Sequence, residues 1–296
     1  MVMNHEYYIR GKKLLESGDL ENAYQIFQSN QVDVLCLYGS YILLSMGFLK
    51  DSNIEELFFS RFNEIEGLVE KDDIEAIFVL GVCYERGIKY PMDFNRAEKL
   101  YLKAYEMGHH RAGFNLATLY QNSPNINDVE KALRIYEVLA KENNSEAMVN
   151  AGYIFLFCKN IQNIYLAIKY FQSAVKFNDS LAEYYLGLIY LNKDFGYENV
   201  DLALEYLNKS ISKGNLDAKE LLADYYFSNE LEKTKSFVMY KELVEAKYLP
   251  AYFRLGVCYE LGIGGIKNIE LAREYYSLAS ENGDKRAILR LLNIGN

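Results

Sequence analysis

The sequence has no tryptophan and only three prolines in 296 residues. So few breakers leave long stretches free to be helical, because proline removes an amide donor and clashes with the preceding turn. Three histidines are a thin supply of general bases and metal ligands. Cysteine is sparse too. Cys36, Cys83, Cys158 and Cys258 lie far apart, with no C-x-x-C and no histidine at ligand spacing. That excludes a zinc site built on a short motif. The four thiols are expected to be buried and reduced, packing as small hydrophobes. No apolar run is long enough to span a bilayer. The opening Met1-Val2-Met3-Asn4-His5-Glu6 lacks the basic-then-apolar order of a signal peptide, so the cytoplasm is the expected compartment.

Positive charge is also short. Lys plus Arg is 32 against 41 for Asp plus Glu, a net charge of −9. An acidic surface repels nucleic-acid phosphates and anionic membranes, so neither is an expected partner, whereas a basic protein would suit it. No H-E-x-x-H, P-loop or G-x-S-x-G occurs. Gly262-Ile263-Gly264-Gly265 is glycine-rich, but it follows a helical pattern and not a strand, which argues against a phosphate cradle. His109 and His110 are adjacent on a turn, where two side chains point apart, and His5 falls in a terminus expected to fray. No catalytic, cofactor-binding or metal-ligating set is expected, and the chain reads as a non-enzyme.

What the chain has in quantity is aromatic side chain (27 Tyr, 16 Phe) and repetition. Gly81-Val82-Cys83-Tyr84-Glu85 returns unchanged as Gly256-Val257-Cys258-Tyr259-Glu260. Between them an alanine opens each unit: Ala76, Ala112, Ala147, Ala182, Ala218 and Ala251, then Ala287. Five residues on stands a small residue: Gly81, Ala117, Gly152, Gly187, Ala223 and Gly256. A second half follows, with expected helix N-caps at Asp93, Asp128, Asn163, Asn199 and Asn268 and the poorer Glu232 in the remaining unit. Eight residues past each of these comes Tyr101, Tyr136, Phe171, Leu207, Tyr240 and Tyr276. Fifteen past comes Gly108, Asn143, Asn178, Gly214, Lys247 and Gly283, mostly residues that tolerate the left-handed end of a helix. Spacings of 3, 4 and 7 are helical. Each period of about 35 residues is therefore a helical hairpin. Its small residue on the first helix lets the second approach closely, and the large side chain fills the groove beside it. A lone hairpin cannot bury its apolar face, so the hairpins must stack.

The pattern A-x-x-x-L-G-x-x-Y, a Gly-containing loop, then D-x-x-x-A-x-x-x-Y-x-x-A-x-x-x-G resembles the Sel-one-like repeat, a relative of the tetratricopeptide repeat. Ala76 to Gly108 and Ala251 to Gly283 are the nearest copies, the latter with Gly262, Gly264 and Ile266 in its loop. Residues 121–127 and 156–162 lack the loop glycines, and Lys247 stands where Gly is usual. The expected fold is an all-α, α/α superhelical solenoid of about eight antiparallel helix pairs plus a C-terminal capping helix, in one body without linkers. Residues 1–72 read as divergent tetratricopeptide-like repeats (4–30, then 32–47 with a longer helix over 53–70). Residues 73–284 read as six Sel-one-like repeats, and 285–296 as the cap. What the resemblance implies is a surface for binding proteins.

In such solenoids the first helix of each pair lines the concave side. The residue two before the recurrent Leu then faces the groove: Phe78, Phe114, Val149, Tyr184, Glu220 and Phe253. The residue after the small one joins it: Val82, Thr118, Tyr153, Leu188, Asp224 and Val257. These twelve are the expected partner-binding residues, an apolar stripe with acids in one unit. Family members often carry Tyr at the first position, packed within the superhelix, so Phe78, Phe114 and Phe253 have a structural reading too. Exposed aromatics would anchor a partner and acids would orient a basic one. Two roles fit: an adaptor or scaffold holding a protein or peptide, or an immunity protein neutralising a toxic effector. A monomer is the default state, and an enzyme with an unrecognised site is the remote third reading.

Overall fold

The structure, a computed structural model, describes residues 5–49, 52–265 and 267–294. These residues form eighteen α-helices, one 3-10 turn and no strand. The expected loop residue Ile266 lies outside them. The chain divides into two compact units, Met1–Leu139 and Ala140–Asn296.

The first unit is a run of hairpins: α1 (Glu6–Glu16) with α2 (Leu20–Ser29), α3 (Val34–Ser45) with α4 (Ser52–Ser60) and α5 (Phe62–Val69), α6 (Ile74–Arg86) with α7 (Phe94–Glu106), and α8 (His110–Gln121) with α9 (Ile126–Lys141), whose end carries it into the unit boundary. The second unit pairs α10 (Ser145–Phe157) with α11 (Ile164–Val175), α12 (Ser180–Leu191) with α13 (Val200–Ser212), α14 (Leu216–Ser228) with α15 (Lys233–Glu245), and α16 (Pro250–Leu261) with α17 (Ile269–Glu281). It closes with α18 (Lys285–Asn293). Within each unit one hairpin packs on the next, α5 on α6 and α7 on α8, then α11 on α12, α13 on α14 and α15 on α16.

The closeness inside each hairpin follows from the small residue. A Cβ added at Gly81, Gly152, Gly187 or Gly256 would come within 2.5–2.8 Å of Tyr101, Phe171, Leu207 or Tyr276 respectively. Those partners are fully buried, and each contributes about 2–3 kcal/mol by leaving water. A buried phenol also needs a hydrogen-bond partner. Tyr101 donates to Glu85 at 2.6 Å, Tyr276 to Glu260 at 2.5 Å and Tyr240 to Asp224, while the Tyr136 hydroxyl lies 3.1 Å from that of Thr118. Where the position holds Phe171 or Leu207, no such partner is required. The left-handed helix ends fall at all six expected residues, including Lys247 at φ +59°.

Four expectations change. Residues 53–70 are two helices, since Arg61 leaves helical geometry (φ −105°, ψ 9°) while its guanidinium donates to the carbonyls of Gln31 and Val32 at 2.7 Å and grips Glu64. Asp128 is not an N-cap. α9 begins two residues earlier, Asn125 accepts from the Asn127 amide, and Asp128 takes the Ser123 hydroxyl and Lys131. His5 is not frayed but buried, with Nδ1 2.8 Å from Asp33 and Nε2 3.0 Å from Asp73. Of the thiols, Cys36, Cys83 and Cys258 are buried and pushed up to about 12 by desolvation, but Cys158 is half-buried at the end of α10.

Candidate functional site

In five of the six repeat hairpins the first helix, and at the end the closing α18, is positioned by a cap three residues ahead of its opening alanine. Asp73, His109, Asn144, Asp179, Asn215 and Asp284 each accept a backbone N–H of the first turn. His109 thus has a structural task, with Nδ1 accepting from the Ala112 amide at 2.9 Å. In α16 that place holds Tyr248, which makes no cap, and Pro250 starts the helix instead. The Tyr248 phenol is left free to bond elsewhere.

In the first unit the expected face is closed by the chain's own groups. Phe78 is 5% exposed. The His109 ring stacks on it at 4.4 Å, and the Lys12 ammonium lies over it at 5.3 Å. Lys12 and His109 are both held by Glu75, at 2.9 and 3.4 Å. Burial would raise the Glu75 carboxyl, but the hydrogen bond to His109 and the Lys12 ammonium bring it down to about 2. Val82 is buried beside Phe78. Phe114 is half-buried, edge-on to Tyr136, and the Thr118 hydroxyl is engaged by the Phe114 carbonyl and Tyr136.

The second unit differs along α10, α12 and α14. Tyr153 is 38% exposed and Phe157 43%. Their rings meet at 4.8 Å, and both turn an edge to Tyr185, which stacks on buried Phe171 at 4.9 Å. Tyr184 adjoins Tyr185 at 5.1 Å. Burial pushes the Tyr185 phenol up to about 12, and it stays neutral. Next to this cluster is a cavity of about 300 Å³ lined by Leu188, Leu191, Asn192, Leu221, Asp224 and Tyr225. On α14, Asp217, Glu220 and Asp224 follow one another at spacings of three and four, so they share a face. The Tyr248 hydroxyl lies 2.6 Å from Asp217 and 2.8 Å from Glu220. Asp224 accepts from Tyr240 and, at 2.7 Å, from Arg254. Burial, with Asp224 and Asp217 nearby, raises the Glu220 carboxyl above its ordinary range.

Of the twelve residues chosen from sequence, seven do not form an open stripe. Phe78, Val82, Val149, Phe253 and Val257 are buried, and Phe114 and Thr118 are occupied by contacts within their own hairpin. Phe253, 8% exposed, is covered by the Arg286 guanidinium at 4.5 Å and by Tyr276. Where a neighbouring helix supplies a long cation or a ring, the position becomes core. The other five, Tyr153, Tyr184, Leu188, Glu220 and Asp224, gather on α10, α12 and α14. Sequence reasoning missed Phe157, Tyr185, Leu191, Asn192, Leu221, Tyr225, Asp217 and Tyr248. Phe157 and Asn192 had a signal, since they extend the same face by one turn beyond Tyr153 and Leu188. Among the described residues no group of His, Cys, Asp and Glu could hold a metal, and no helix is long and apolar enough to cross a membrane.

Comparison with known proteins adds the lineage. The Sel1 repeat family matches residues 67–109, 145–176, 180–215 and 249–284. Chitin synthase regulatory factor 3 of Schizosaccharomyces pombe is 24% identical over 202 residues, 64% of this chain and 18% of that protein. The ERAD-associated E3 ubiquitin-protein ligase component HRD3 of Candida glabrata is 28% identical over 88 residues, 30% of this chain and 10% of that one. The chain spans less than a fifth of the length of these curated relatives. A Sel1 repeat protein from Oxalobacter formigenes superposes with a TM-score of 0.65 at 18% identity, covering 97% of this chain and 86% of that one, and shares its helical solenoid fold.

Proposed function

Because this chain is a Sel1-repeat protein, we propose that it binds another polypeptide on the first-helix face formed by α10, α12 and α14. The observation that carries the reading is the Tyr153–Phe157 pair. Two touching rings left 38% and 43% exposed are costly to leave in water unless a partner covers them. Aromatic rings on a rigid helix are efficient anchors, since they bury much area for little lost rotamer freedom. The names of the matched relatives, a regulatory factor and a ligase component, support repeats that work through other proteins. In this reading the chain is an adaptor, and no reaction is assigned to it.

The test is affinity purification from the native cell with mass spectrometry, followed by calorimetry with the purified partner. The wild-type chain is compared with the Tyr153→Ser, Phe157→Ser double variant. The expected result is at least a tenfold loss of affinity with helix content unchanged, the cost of about 1.4 kcal/mol or more. A partner retained at full strength by the double variant overturns the reading.

A further inference from the structure

The acidic row on α14 is short of donors. Tyr248 has one hydroxyl proton, yet two carboxylate oxygens, of Asp217 and Glu220, sit within hydrogen-bond distance of it. One of the two is left without that proton at any moment. Asp224 is served on both oxygens, by Tyr240 and by Arg254. Three carboxylates thus stand near two guanidiniums, but Arg286, whose charge is felt by Glu220 and Asp224, spends its hydrogen bonds on Asp284. Arg254 gives Asp224 a terminal nitrogen and leaves its buried Nε unpartnered; its charge reaches Glu220, but its hydrogen bond goes to Asp224. Asp217 and Glu220, which share that one proton, lie on the same helix as Asp224, which is also a wall of the 300 Å³ cavity. Aliphatic Leu188, Leu191 and Leu221 form most of the rest of that wall. A volume at the low end of ligand cavities suits one anchoring side chain better than a cofactor.

We propose that this is the docking point for a basic segment of the partner, with one apolar side chain in the cavity between α12 and α14 and a neighbouring Arg or Lys against Asp217 and Glu220. The proposal rests on the reading of this face as partner-binding and adds the chemistry of what it takes. Charge complementarity selects the occupant, because an acidic segment would meet two carboxylates already competing for one proton. Arginine suits the place better than lysine. Its planar fork can donate to both acids at once. Tyr184, close enough to feel both charges, offers its ring as a face for the cation.

The experiment uses the full chain and three fluorescein-labelled twelve-residue peptides read by anisotropy. One has a central Leu flanked by Arg residues, the second has Glu for each Arg, and the third has Ser for the Leu. The first is expected to bind, with affinity falling as salt rises, and the other two to bind at least roughly fivefold more weakly, the worth of about 1 kcal/mol of ion pairing or apolar burial. Glu220→Gln and, separately, the rim change Asp217→Asn should each erase most of the preference for the basic peptide with helix content unchanged. Equal binding of the acidic and basic peptides, or a preference untouched by both variants, overturns the proposal. The two readings fail separately. If Tyr153→Ser, Phe157→Ser releases the natural partner while no peptide discriminates by charge, protein binding stands and its basic specificity falls. If charge selection depends on Glu220 but the natural partner survives the aromatic changes, the reverse holds.

Discussion

Phe78 and Tyr153 lie one turn apart on the same face of the repeat, yet one is sealed and the other partly exposed. In the first unit α1 reaches across to α6, and Lys12 with His109 closes over Phe78. In the second, α10 and α12 receive no such cover, and Tyr153, Phe157 and Tyr185 form a surface. Further along the same unit Arg286 of α18 seals Phe253 as Lys12 seals Phe78. A repeat position therefore offers a ring but does not decide its use. The neighbouring helix decides, by bringing a long cation or bringing nothing.

That contrast can be broken at its strongest point first. His5 joins two N-cap carboxylates, those of α3 and α6, and the hydrogen bonds to them, helped by their charges, hold its imidazolium so firmly that its pKa rises from 6.5 to about 10. His5→Ala should destabilise the first unit by about 2–3 kcal/mol, because two nearly buried carboxylates lose a charged donor. The folded-state pKa is the higher one. This stabilisation is complete below pH 6.5 and is lost as pH rises toward 10. Urea midpoints measured from pH 6 to 10 should fall for the wild type and stay flat for the variant. Hydrogen exchange should place the loss at the starts of α3 and α6, and a uniform loss in both units would contradict this account.

A smaller effect sharpens the comparison. Lys12→Ala should cost about 1 kcal/mol, since the ammonium is mostly buried against Glu75 and the Phe78 ring. It should also uncover Phe78, giving the first unit an apolar face of its own, detectable as increased binding of a hydrophobic dye. No increase would mean that His109 alone suffices as cover. With Lys12 present, Glu75 ionises at about 2, below its ordinary 4.5. That contribution holds above pH 4.5 and fades as pH falls toward 2, and Lys12→Ala should shrink this acid limb.

The smallest change runs the other way, in the second unit. Lys247 holds φ +59° where five sister units have Gly or Asn. Lys247→Gly should stabilise by up to about 1 kcal/mol, read as a rise in melting temperature, because glycine enters this conformation without steric cost. A drop would show that the lysine side chain has a contact that outweighs the strain.

Much of the fold was legible because each rule is local or nearly so. The opening alanines, the Gly81–Tyr101 type of pairing and the six left-handed ends follow from spacing and residue size. The misplaced cap at Asp128 and the break at Arg61 were hidden for one reason. Both depend on a side chain choosing among several nearby backbone partners, which periodicity does not report. The proposed binding face was half legible. Of the expected row, Tyr153, Tyr184, Leu188, Glu220 and Asp224 lie together on α10, α12 and α14. Phe78 and Phe253 looked identical to them in the sequence, because what covers them comes from Lys12, 66 positions before Phe78, and Arg286, 33 after Phe253.

By itself the sequence determined the helices, their pairing and the hairpin interiors, since a small residue opposite a large one 17 to 20 positions on can be satisfied in only one way. Only the tertiary structure decided which rings of the first helices stay uncovered and which acids share one phenol. Those depend on how long side chains from distant helices fold over a surface, and no spacing along the chain encodes that distance.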